Sequence, residues 1–359
     1  MSRVVLRWLP AIVIPVLIAG GTLVAHTVTD VALPTKSPEQ VLALAAGDSV
    51  NAFSGTLQQT SDLGLPEIPS TGPAAGAAGA AGASSADAAA ASALELLTGS
   101  HTARVYADGP TKQRMQVMDT LAERDLVRNG TQLWLYDSQK ATATHVTLPS
   151  ASAQQQQSTV PTPAQLAQKM LATLTPSTAV TLGDNTTVAG HNAYDLVLTP
   201  QTSGTLIGSV SIAVDGQNGF PLSVTVTARG ATSAAFSVAF SELTYQAPSA
   251  DLFTFSPPAG TTVTQQALPA QSKTLEHAPS AGTMPTPAVS GTDWTTVAQL
   301  PSGSVPANVL DMPLVNELTT SVPGGRVVST ALVNVLLTTD GRVFVGSVPV
   351  SALQAAAAG

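Results

Sequence analysis

Between Tyr194 and Tyr245, apolar side chains recur at every second position in three successive runs: Val210, Ile212 and Val214, then Leu222, Val224 and Val226, then Phe236, Val238 and Phe240. Ser, Thr and Ala fill the intervening positions. A period of two is the mark of a strand with one apolar face. Asp215-Gly216 and Asn218-Gly219 separate the first two runs, and Gly230 stands between the second and third. Loops this short force neighbouring strands to pair antiparallel, because a parallel crossover needs about a dozen residues. The chain therefore predicts a meander with one apolar face and one small, polar face.

A second stretch, ERDLVRNGTQLWLYDSQKATATHVTLP (residues 123–149), sets a different problem. Asn129-Gly130 and Asp137-Ser138 read as hairpin turns, Asn-Gly because it readily takes positive φ. The strand between them carries Leu133 and Leu135 on one side and Trp134 and Tyr136 on the other, so both of its faces need cover. Which pair points inward is open, since a one-residue slip exchanges the two sets.

The N-terminus places Arg3 and Arg7 ahead of an uncharged apolar run from Trp8 to Ala25. That run approaches the width of a bilayer core, and the basic flank should stay cytoplasmic. Residues 1–33 are expected to anchor the chain, with the remainder outside the cytoplasm. A cleaved signal is the rival, although Leu23-Val24-Ala25 and Asp30-Val31-Ala32 match a cleavage site poorly. Ser37-Pro38-Glu39-Gln40 reads as a helix start with Ser37 as N-cap and Gln40 closing a capping box, and Thr162-Pro163-Ala164-Gln165 repeats the grammar. The Ala/Gly stretch 70–92 has no large apolar residue and reads as a flexible insertion. Residues 278–291 read as a linker between a main domain, 34–277, and a small C-terminal module, 292–359, with a hairpin at Asp340-Gly341 and a terminal helix.

Several function classes lack their chemistry. A net charge of −8 offers no basic footprint for nucleic acid. The absence of cysteine removes disulfide and thiolate chemistry. His26, His101, His145, His191 and His277 show no metal-ligand spacing, and there is no nucleophile elbow or phosphate loop. Glu123 and Asp125 flank the first hairpin and are explained by strand alternation and turn solvation. No cofactor and no enzymatic activity are expected.

What remains is an α+β chain: a mostly antiparallel, curved sheet, strongly apolar on one face, which two short helices roof only in part, leaving an apolar hollow. Such a hollow can accept acyl chains. Its expected lining is Leu133, Leu135, Val210, Ile212, Val214, Leu222, Val224, Val226, Phe236, Val238 and Phe240. The alternative is that a second sheet or the C-terminal module closes this face into an ordinary core.

Three ordered stretches, DLVRNGTQLWLYDSQKATATHV, AYDLVLTP and LFTFSPPAGTTV, resemble the LolA/LolB/LppX-like family of lipoprotein carriers over about residues 39–265. The matching positions are Asn129-Gly130 with Leu133-Trp134-Leu135-Tyr136, then Tyr194 to Pro200, then Phe253 to Gly260. The resemblance implies a highly curved antiparallel sheet forming an incomplete barrel, with a few short helices as a lid covering an apolar cavity, lipid or lipoprotein acyl chains as partners, and an actinobacterial membrane-anchored member. The chain departs from the carriers at Tyr106-Ala107-Asp108-Gly109-Pro110, where nothing basic precedes the Pro. A half-barrel followed by a smaller domain also resembles RseB-type periplasmic regulators. These bind a membrane anti-sigma factor, which makes a membrane protein the alternative partner.

Overall fold

The structure, a computed structural model, describes residues 33–47, 50–65, 99–119, 122–148, 177–267, 288–300, 302 and 318–358. The expected anchor, the insertion 70–92 and the helix expected after Thr162 lie outside the described residues. Among those described, no helix is long and apolar enough to cross a membrane.

Helix α1, Pro38–Ala46, begins as its sequence predicts: Ser37 accepts from the Gln40 amide at 3.3 Å while the Gln40 side chain accepts from the Ser37 amide at 2.9 Å. Two otherwise orphaned donors are thereby satisfied. Ser37→Ala is expected to cost about 1 kcal/mol, read as faster hydrogen exchange of the α1 amides than of the strands.

Strands β1 (Ala52–Ser61), β2 (His101–Asp108), β3 (Lys112–Asp119), β4 (Ala122–Asn129), β5 (Gln132–Asp137) and β6 (Thr142–Thr147) form one half of a large sheet. The other half holds β7 (Thr178–Leu182), β8 (Thr186–Val188), β9 (His191–Pro200), β10 (Ile207–Asp215), β11 (Pro221–Ala228) and β12 (Ala234–Thr244). The predicted meander is present, with Val210 opposite both Leu198 and Val226, and Val224 opposite Val238. The two halves join through β1, which pairs with β12 on one side and β2 on the other. That contact links residues some 180 positions apart, and no local signal announces it.

The first hairpin turns at Gly130-Thr131, one residue later than the Asn-Gly pair suggests. Gly130 has φ 62° and Thr131 is not among the positive-φ residues, the pattern of a type II′ turn. The second loop holds four residues, Ser138 to Ala141, with Asp137 accepting from the Lys140 amide at 3.0 Å.

One strand breaks the antiparallel expectation. β13 (Thr262–Ala267) runs parallel to β6 at the far edge of the sheet. To reach it from β12, residues 245–261 cross β1 to β6, about seven strand spacings or 34 Å at 4.8 Å each. Seventeen residues suffice for that span. The strap makes a 3-10 turn at Ala250–Phe253, where Phe253 is buried.

The strand order is β13-β6-β5-β4-β3-β2-β1-β12-β11-β10-β9-β7, with β8 paired to β9. Since β13 and β7 are not joined, this curved sheet is not closed into a barrel. Bulges at Thr56/Leu57, Ala213/Val214 and Val226/Thr227 add bend to the accumulated twist. The described chain is mostly β rather than α+β, because β-branched and small residues dominate and the helices are few.

A second sheet has the order β14-β15-β19-β18-β17-β16. Its strands are β14 (Ala288–Ser290), β15 (Val297–Leu300), β16 (Thr319–Val322), β17 (Gly325–Ser329), β18 (Asn334–Thr338) and β19 (Val343–Gly346). It starts inside the stretch expected as linker. The expected hairpin is β18–β19, with Gly341 at φ 80° in its loop. The expected terminal helix is α2, Val350–Ala358, which packs Leu353 against Leu336 and Phe344.

Candidate functional site

Register assigns every large-sheet side chain to one of two faces. The inner face carries Val210, Ile212, Val224, Val226, Phe236 and Val238, and continues through Leu57, opposite Phe240, into β2 to β6. On β5 it takes Leu133 and Leu135; Trp134 and Tyr136 point outward. Trp134 stacks on His145 at 4.1 Å between ring centroids, and Phe255 of the strap lies 5.4 Å from Trp134 and 5.5 Å from Tyr136. The strap therefore covers the outer side of β5, which answers why both of its faces are apolar.

Beneath the strap, Arg114 grips Asp125 with two hydrogen bonds, Nη2 to Oδ2 at 2.6 Å and Nε to Oδ1 at 3.1 Å. Its Nη1 donates to the Leu252 carbonyl at 3.1 Å. Asp125 is thus buried and paired rather than solvated as its place beside a hairpin suggests. Burial pushes its carboxyl above the ordinary value, against the downward pull of the Arg114 guanidinium.

The nine meander positions are packed by the chain itself. Val210, Leu222, Val226, Phe236, Val238 and Phe240 lie in one buried cluster, with Ile212 and Val224 partly buried against it. Val214 lies in a second cluster with Tyr194, Leu196 and the α1 residues Val41 and Leu42. α1 therefore roofs one end of the inner face. The other end meets the second sheet, whose Trp294 and Leu332 join the same cluster as Ile207 and Ala235. Trp294 Nε1 donates to Thr178 Oγ1 at 2.6 Å, and the Ser347 carbonyl accepts from the Leu206 amide and the Thr205 hydroxyl, each at 2.8 Å.

The β2–β5 half is different. Val105, Met115, Leu126 and Leu135 are successive register partners on adjacent strands, forming an apolar row across the inner face. Val105 packs on the main cluster, so the row grows out of the core. None of the four is buried, and Leu135 at the far end is 42% exposed. Four strands set the row's width at about 14 Å. Val105, Met115 and Leu126 were not among the expected lining residues, because single apolar side chains between Arg124 and Arg128, or between Gln113 and Gln116, do not look like a continuous surface in one strand alone.

The row has unlike flanks along the strand direction. Arg124 lies opposite Asp137, which also pairs with Lys140 at 2.9 Å. On the other flank Arg128 lies opposite Leu133, and its Nε donates to the Gly130 carbonyl at 3.3 Å. Among the described residues, no group of three or more His, Cys, Asp or Glu side chains is placed to hold a metal.

The family profile for the outer membrane lipoprotein carrier protein LolA matches residues 100–256. No curated protein sequence matches the chain. Among solved structures, the Pseudomonas aeruginosa MucA/MucB complex is similar at 17% identity and a TM-score of 0.44, covering 89% of this chain and 95% of that one. MucB alone is similar at 19% identity and a TM-score of 0.43, covering 88% and 94%. A LolA superfamily protein from Nitrosomonas europaea is similar at 10% identity and a TM-score of 0.24, covering 62% and 99%.

Proposed function

We propose, for a chain whose residues 100–256 match the LolA family profile, that it binds the acyl chains of lipid or lipoprotein on the open row of β2 to β5 and carries or chaperones them outside the cytoplasm. The observation that supports this is the row itself: an apolar strip, continuous with the core through Val105, that ends unburied at Leu135. Binding is non-covalent, and the N-terminal apolar run would tether the domain to the cytoplasmic membrane. Removing a methylene from water is worth about 0.8 kcal/mol. An acyl chain in a bilayer already has that stabilisation, so transfer onto a matching apolar row is nearly neutral. The protein's part is to lower the aqueous barrier, and direction comes from donor and acceptor.

The test is lipid extraction and native mass spectrometry of the full chain, purified from membranes in mild non-ionic detergent. Co-purifying lipid or acylated protein is expected. Leu135→Asp should reduce it at least tenfold, because a carboxylate buried against an acyl chain costs several kcal/mol. Since Leu135 is already 42% exposed, the fold should persist. A wild type that carries no lipid, or a variant that carries as much, overturns the proposal.

A second reading is a regulator that binds a membrane anti-sigma factor. It is favoured by the second sheet, which is fixed to the first by Trp294 and Ser347. A pull-down from solubilised membrane that recovers one stoichiometric protein without lipid would support this reading over the carrier.

A further inference from the structure

Resting on the acyl-chain reading above, we propose that Arg128 is the headgroup contact of the β2–β5 row and that its amphiphile is anionic, bearing a phosphate or carboxylate. Three cations near this part of the sheet already have acidic partners: Lys112 pairs with Asp108 at 2.8 Å, Arg114 with Asp125 at 2.6 Å and Lys140 with Asp137 at 2.9 Å, while Arg104, opposite Gln116, lies on the outer face. Among the described residues Arg128 has only the neutral Gly130 carbonyl, through one of its five N–H donors. It stands on the inner face, directly opposite Leu133 and two residues from Leu126. Two residues of strand separate side chains on one face by about 7 Å. A chain lying along Leu126, Met115 and Leu135 therefore brings its headgroup within reach of the guanidinium.

The opposite flank of the row sets the side on which the headgroup sits. There Arg124 faces Asp137 across β4 and β5, so an anion would meet a carboxylate as well as a cation. The Arg128 flank carries no facing acid in the register, only Gln113 and Leu133. A planar fork matches phosphate or carboxylate oxygens two at a time. On a chain of net charge −8, a cation kept free beside an apolar row is a selective feature.

The experiment reconstitutes the full chain into phosphatidylcholine vesicles. Diazirine-labelled phosphatidylglycerol and diacylglycerol serve as anionic and neutral probes, with labelled peptides identified by mass spectrometry. The anionic probe should label residues 122–137 preferentially. Arg128→Gln should cut that labelling about tenfold, the size of one charge-assisted hydrogen bond at a partly solvated site. Neutral labelling should not change, and Arg128→Lys should restore part of the loss. Equal labelling by both probes in the wild type overturns the headgroup assignment and leaves the acyl-chain reading intact. No labelling by either probe overturns both. Competition by inorganic phosphate as strong as by short-chain phosphatidylglycerol would show a small-anion site and also overturn the assignment.

Discussion

Replacing Arg114 with methionine is expected to destabilise the protein by about 3–5 kcal/mol, the range for removing one partner of a buried ion pair. The Asp125 carboxylate is only 3% exposed and takes two hydrogen bonds from this one guanidinium. Methionine keeps the bulk of the side chain but leaves the charge buried without a partner. It also releases the Leu252 carbonyl, and with it the turn that starts the strap over Trp134 and Tyr136. Urea denaturation should show the loss, and the double variant Arg114→Met, Asp125→Leu should recover most of it, because the uncompensated charge is then gone. A single-variant cost under about 1 kcal/mol would mean that water reaches the pair.

Acid adds a second measurement of the same site. The folded Asp125 carboxyl lies above its ordinary value of 3.8 because burial outweighs the guanidinium. Between that ordinary value and the raised folded one, the folded state holds more protons than the unfolded state. Stability contributed by this group is therefore full below the ordinary value and is lost as pH rises through the folded value. Asp125→Asn should remove that falling slope.

Local grammar carried the parts of the fold that depend on neighbours in sequence. The Ser37–Gln40 capping box, the Gly219 and Gly230 turns of the meander and the β18–β19 hairpin are each set by a few residues with one conformational preference. The pairing of β1 with β12 has no such source, since the alternation in AFSGTLQQTS says that a strand exists but not where it goes. The parallel β13 was hidden for the same reason: only the strap's path over the outer face accounts for it. Site prediction divided along this line too. Strong alternation in β10 to β12 drew attention to side chains that turn out to be core, whereas the exposed row needs register to be seen. Met115, Leu126 and Leu135 are unremarkable one at a time and become a surface only when β3, β4 and β5 are aligned.

The second large effect concerns the junction with the second sheet. Trp294→Ala is expected to cost about 3–5 kcal/mol, the usual loss for truncating a buried large aromatic. The indole is 6% exposed, within the cluster that holds Ile207 and Phe236, and it sits on a 3-10 turn at Asp293–Thr295. Trp294→Phe separates packing from hydrogen bonding. The ring volume is largely kept, but the Thr178 hydroxyl, 2% exposed, loses the indole donor, for a smaller cost of about 1–3 kcal/mol. The remaining hydrogen bonds between the sheets among the described residues, from the Thr205 hydroxyl and the Leu206 amide to the Ser347 carbonyl and from the Ala331 amide to the Leu63 carbonyl, survive either substitution. They are too few to couple two sheets once the shared apolar cluster is broken. Wild-type protein should therefore unfold in one denaturant transition and Trp294→Ala in two, with the second sheet released first. Release uncovers the Ile207 end of the inner face, so a hydrophobic dye should bind between the two transitions. Two transitions already in the wild type, with the midpoint of the large sheet unmoved by Trp294→Ala, would show that the second sheet is an independent unit and that the inner face does not rely on it for cover.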